Sequence, residues 1–244
     1  MSGFERLKPL PWIRILLFYT LILLGTAIAR QFPNALQNVL HTITGQHFPW
    51  NYNHGFVLLF LALIFYKLFP PQRRIRLLGD RSLAILIFPC IPLFCYGLYG
   101  LKNNLDINPH LWAVLFVAAT FIYDLMEAYV WRGYLVDALG TMPWVYKAII
   151  SGIAWAFWHT LIFDDFGQFG GFGMFILLSI LVSFALVYAG VRTNSIVASA
   201  AMHATLIRVN YVSLICFILY FILLWRWKKK EDGDATHSPR LVAK

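Results

Sequence analysis

The stretch Phe172-Gly173-Met174-Phe175-Ile176-Leu177-Leu178-Ser179-Ile180-Leu181-Val182-Ser183-Phe184-Ala185-Leu186-Val187-Tyr188-Ala189-Gly190 contains no charged side chain. At about 1.5 Å per residue, a helix of this length covers the roughly 30 Å hydrocarbon core of a bilayer. The rest of the 244-residue chain has the same character. Hydrophobic residues make up 60%, aromatics 17% and charged residues only 13%, about half the globular norm of roughly 25%. A soluble fold of this size lacks the polar residues to cover its surface. The composition also excludes a disordered chain, a coiled coil and a disulfide-rich scaffold. Long unbroken apolar runs, rather than alternation, argue against a transmembrane β-barrel. The expected fold is an all-α polytopic transmembrane helical bundle.

Working outward, about eight candidate spans are legible, near 10–29, 55–70, 83–101, 111–138, 143–163, 172–190, 194–209 and 211–227. The second and seventh are short, and the seventh is rich in Ala and Ser, which suits a helix packed inside the bundle. The first run carries Ala27-Ile28-Ala29, a stretch like a signal-peptide cleavage site, but it reads as an uncleaved span because seven others follow. The net charge is +9. With the N-terminus in the cytoplasm, the basic loops around Arg73, Arg74, Arg76 and Arg81, Lys147, Arg192 and Lys228 to Lys230 all fall on the cytoplasmic side. Only Arg30, Lys102 and Arg208 fall opposite. Both termini are therefore expected in the cytoplasm, by the positive-inside rule. The basic balance speaks to orientation and not to nucleic acid, for which the chain has no signature. Cys90, Cys95 and Cys216 sit inside apolar runs and read as buried hydrophobes. Residues 1–230 are expected to form a single integral-membrane domain, and 231–244 a short disordered cytoplasmic tail.

Ionisable groups at mid-membrane are costly and are functional candidates by default. They are Asp124, Glu127 and Arg132 on the fourth span, His159 on the fifth and His203 on the seventh. Asp124 and Glu127, three apart, share a helix face. Glu127, His159 and His203 lie roughly 18, 24 and 14 Å from the cytoplasmic ends of their helices, so tilt lets them meet near one level. A carboxylate and two imidazoles in one cavity can transfer protons or bind a metal.

The residues around these groups form three ordered motifs. The first is Glu127-Ala128-Tyr129-Val130-Trp131-Arg132-Gly133-Tyr134. The second is Trp155-Ala156-Phe157-Trp158-His159. The third is His203, in a small-residue helix after Arg192-Thr193-Asn194-Ser195. Over roughly 111–210 the chain resembles the CPBP (Abi) family of intramembrane proteases, which includes the type II CAAX prenyl endopeptidases. Two positions depart from the family pattern. Ala128 stands where the family has a second Glu, one turn before the Arg, and Asp124 is the carboxylate placed to replace it. Ile207 stands where the family has Asn or Asp four residues after the His, and Asn210 could substitute only on a distorted helix.

The resemblance implies that Glu127 and His159 activate a water for attack on a peptide carbonyl, and that His203 stabilises the oxyanion, with Arg132 and Asp124 supporting. Loss of one oxyanion donor typically costs ~10²–10³ in rate, which Thr205 or a backbone N–H could offset. No cofactor is expected. Zinc, if present, would use Glu127, His159 and His203, but the chain lacks the His-Glu-x-x-His pattern. The implied partners are membrane lipids and a membrane-tethered peptide or protein tail, with no nucleic acid, at a bacterial inner membrane. The loop Phe166 to Gly173 is Gly-rich and is either an access gate or a plain turn. The alternative function is a non-catalytic adaptor or bacteriocin-immunity protein on the same scaffold. A proton-coupled transporter would show internal symmetry, and none is legible.

Overall fold

A computed structural model describes residues 11–72 and 74–227. The tail expected from residue 231 on lies outside the described residues. The described residues form nine helical segments: α1 (Trp12–Ala29), α2 (Ala35–Thr44), α3 (Asn53–Leu68), α4 (Ala84–Tyr99), α5 (Pro109–Ala138), α6 (Trp144–Trp158), α7 (Phe172–Thr193), α8 (Ile196–Ile207) and α9 (Tyr211–Arg226). No strand occurs among them, and the one isolated bridge joins Arg76 to Ser195. Each of the eight expected spans falls on a helix. By length and apolarity, α1, α5 and α7 are sufficient to cross a membrane, while the other apolar helices are shorter. The surface fits that reading. Ile13, Leu98, Leu181 and Trp225 point outward while Asp124, Glu127, Arg132 and His159 are buried, the reverse of a soluble protein's distribution.

Two boundaries differ from expectation. Helix α2, with no buried residue, was not legible as a span because it is too short and too polar. Helix α6 stops at Trp158 instead of continuing to 163, and a single 3₁₀ turn, His159–Leu161, follows. The His159 ring bonds back to the Trp155 carbonyl at 2.8 Å, a local side-chain partner of the kind that competes with helix continuation.

The helices that matter for the site are set by specific end residues. Asn108 accepts hydrogen bonds from the His110 and Leu111 amides, and Pro109 fills the first helical position of α5, both favoured start signals. Asn194 (φ 54°) ends α7 in the left-handed conformation, and Ser195 caps α8. The connection between α3 and α4 straps across this turn. Arg76 N bonds Asn194 O, Ile196 N bonds Arg76 O and Val197 N bonds Leu77 O. Gly79 (φ +65°) lies so close to the turn that a Cβ there would meet Thr193 O at 2.4 Å. The strap fixes where α8, and hence His203, begins.

Helices α6 and α7 pack tightly. At Gly152 a Cβ would sit 2.7 Å from Ile180 Cα. Helix α8 lies inside, against α4, α5 and α7, with Ala198, Ala200, Ala201 and Met202 fully buried. This is the small-residue packing that membrane helices use.

Candidate active site

Helix α5 is not a uniform α-helix. From Tyr129 to Tyr134 it widens into a π-helical turn. Such bulges hydrogen-bond i to i+5 and are frequent at functional sites. In an ordinary α-helix residues five apart point to different faces. The wider turn swings Arg132 back toward Glu127, and both line one small space together with Ala128, Trp131, Leu186, Ser199 and His203.

Trp155, on α6, joins the site. Its indole Nε1–H donates to Glu127 Oε2 at 2.8 Å. Its ring meets His159 edge-on at 4.7 Å and His203 at 5.1 Å between centroids. The Arg132 guanidinium lies over it at 5.1 Å. The three helices thus place Glu127, His159, His203 and Arg132 around one indole. No direct ion pair or hydrogen bond links Glu127 to either histidine.

His159 Nδ1 faces the Trp155 carbonyl oxygen. A carbonyl only accepts, so Nδ1 carries the proton and Nε2 keeps its lone pair. Phenylalanines on either side of the Gly-rich loop cover this histidine, and those of the loop back them. Phe163 stacks on it at 5.1 Å and Phe175 packs at 5.2 Å, and Phe166 and Phe169 pack on both. Gly170 and Gly171 have φ of +80° and +96°, which turns the chain sharply enough to fold these rings inward.

The two departures from the family pattern are resolved in ways the sequence did not indicate. Asp124 does not serve Arg132. Its Oδ1 lies 3.3 Å from His203 Nδ1, so the helix-stripe argument chose the wrong partner. Arg132 instead donates to Ser151 Oγ, which in turn donates to the Trp131 carbonyl. Ala128 packs among apolar neighbours with Val136, Ile196 and Ala200. Asn210 does not approach His203 as a substitute for the missing Asn. After His203 the chain tightens to 3₁₀ and extends at Arg208, and Asn210 becomes the N-cap of α9 in a reciprocal capping box with Ser213. Thr205 is also committed, donating to Met202 O at 2.7 Å. His203 therefore takes its orienting partner from α5 rather than from its own helix. Replacing Asn210 with Ala is expected to destabilise the protein by about 1 kcal/mol through loss of the cap without changing the rate of any cleavage. A melt and a rate measurement on the same preparation check both halves.

Sequence reasoning missed two members. His54 on α3 is buried and its Nε2 lies 2.6 Å from the Tyr123 hydroxyl, and Tyr123 stands one helical turn before Glu127 on α5. The expected second span began at 55 and so excluded His54. Tyr123, four residues before Glu127 on the same face, was legible by spacing alone. Among the described residues no three His, Cys, Asp or Glu side chains are grouped to hold a metal ion. Glu127, His159 and His203 are arranged around the Trp155 ring instead of converging on one point, and so do not fit the zinc set read from the sequence.

A buried carboxylate, imidazole and guanidinium, with the half-buried imidazole of His203 beside them, make a polar cluster within an integral membrane protein, where such groups are functional candidates. The comparison with known families agrees. Residues 109–207 match the family model described as type II CAAX prenyl endopeptidase Rce1-like. That segment is similar to the type II CAAX prenyl endopeptidases, in line with the resemblance carried by its motifs, and at family level the activity is that of a protease. No curated protein and no solved structure matches the chain.

Proposed function

We propose that the protein is a glutamic-type intramembrane endopeptidase that cleaves a membrane-tethered peptide or protein tail. In this reading residues 1–230 form one membrane domain of about eight spans, with both ends in the cytoplasm of a bacterial cell. The observation that carries it is the gathering of Glu127, His159 and His203 around Trp155. The unprotonated Nε2 of His159 accepts a hydrogen bond from a water, and Glu127 takes its proton as the oxygen bonds to the peptide carbonyl carbon. The C–N bond then breaks, and Glu127 returns the proton to the leaving amine. His203, oriented by Asp124, faces the developing oxyanion, and Arg132 adds positive charge beside Glu127. Neither role calls on a metal.

The space beside Glu127 has no room for a water-sized sphere. In this reading substrate and water enter as the helices around it part, a gating step of a common kind. The test compares the termini of membrane and secreted proteins in the native host, wild type against Glu127→Ala. A precursor that accumulates only in the variant strain supports the reading and identifies the substrate. Unchanged termini, with the variant protein at normal abundance, favour the non-catalytic adaptor.

A further inference from the structure

We propose that His54 is a positioning residue that orients the Glu127 carboxylate through Tyr123. This rests on Glu127 being the base proposed above. His54 lies on α3, a helix that the family match does not reach, and it is only 3% exposed. Its Nε2 is 2.6 Å from the Tyr123 hydroxyl oxygen, and Tyr123 stands one helical turn before Glu127 on the same face of α5.

The direction of this chain follows from what each group can donate. An ionised carboxylate only accepts, so in the proposed chain the single Tyr123 O–H turns to Glu127, its neighbour one turn along α5. The hydroxyl oxygen then accepts from His54, which places the ring proton on Nε2. That assignment leaves His54 Nδ1 unprotonated, and Nδ1 is the ring atom that has no partner in the structure. Trp155 on α6 already donates to Glu127, and the proposed chain adds Tyr123 of α5 as a second donor. A chain of hydrogen bonds aligned toward one charge is mutually polarised, and it fixes the carboxylate where a water must meet both it and His159.

His54 also packs against Trp158 and Tyr123, so loss of function on truncation would not by itself separate positioning from packing. The decisive readout is the ring nitrogen signal of His54, in the purified full chain in detergent micelles with ¹⁵N-labelled histidine. The signal is assigned by its disappearance in His54→Gln. Glu127→Gln is expected to move it when Tyr123 is present and to leave it in place in a Tyr123→Phe background. A His54 signal that ignores Glu127→Gln in both backgrounds overturns the proposal.

A second readout uses cleavage of a farnesylated peptide ending in the Cys-aliphatic-aliphatic-X pattern. His54→Phe is expected to lower kcat about tenfold through misplacement of the base, with KM little changed. His54→Gln, which keeps an N–H donor, should restore most of the loss. Equal rates for wild type and His54→Phe overturn the proposal. A wild type that does not turn over this peptide counts against the protease reading alone, because the nitrogen coupling needs no turnover and still decides the role of His54.

Discussion

Glu127→Gln and His159→Asn are each expected to lower kcat by about 10²–10⁴-fold, the usual contribution of a positioned acid or base, and the double variant should be little worse than either single one. The argument starts from geometry. Glu127 and His159 sit on different helices and do not touch each other. They share Trp155, one through its indole N–H and the other through its ring edge and carbonyl. A water acted on by both is the only object that would make them function as a unit, and groups that act as a unit lose their contribution together. Glu127→Gln is the informative substitution because Gln keeps the length of the side chain and an oxygen that can still accept from Trp155, while removing the basic carboxylate. Its melting temperature should therefore stay near wild type. The measurement is single-substrate kinetics on the protein in vesicles, with a tethered peptide, for all four forms. Additive losses would mean that the two residues serve separate steps. Unaltered rates in both single variants would end the glutamic mechanism and leave the scaffold as a binding protein.

The fold and the site were legible to different depths, and the reasons are physical. Helix existence was clear at α7 because a long run without a charge has one stable answer in a bilayer. Candidate site residues were legible because Asp124, Glu127, Arg132, His159 and His203 are ionisable groups inside apolar runs, where each is costly. What the sequence did not reveal was local backbone geometry. Period counting assumes an ideal helix, so Asp124 was paired with Arg132 along a stripe. The π turn at Tyr129–Tyr134 rotates that stripe and sends Arg132 to Ser151 and Trp155, freeing Asp124 for His203. The tightening to 3₁₀ after His203 likewise took Asn210 out of reach and into a helix cap. His54 was lost to an error of about two residues in a span boundary, the least reliable part of such a reading. Two of these misses are departures from α-helical regularity, one at Tyr129–Tyr134 and one after His203, and the third is a helix boundary.

Trp155→Ala is expected to destabilise the protein by about 3–5 kcal/mol, as removal of a large buried ring does, and to abolish cleavage. That result alone would show only that the ring fills space. Trp155→Phe isolates the chemistry. It keeps an aromatic face for Arg132 and an edge for His159 and His203, but removes the Nε1–H that holds Glu127 Oε2. Hydrogen bonds to a charged group are worth about 1.5–3 kcal/mol, so kcat should fall roughly 10- to 100-fold while the fold survives. The loss should also depend on Glu127. In a Glu127→Gln background, where the carboxylate charge is gone, the further effect of Trp155→Phe should shrink to near nothing, a coupling that a double-mutant cycle reads directly. If the two losses are instead independent, the indole is a packing element that happens to sit between the motifs. If they are coupled, the aromatic residue of the second motif is the part that assembles the site. It would bring the carboxylate of one helix, the imidazole at the end of its own helix and the imidazole of a third into a single reaction chamber.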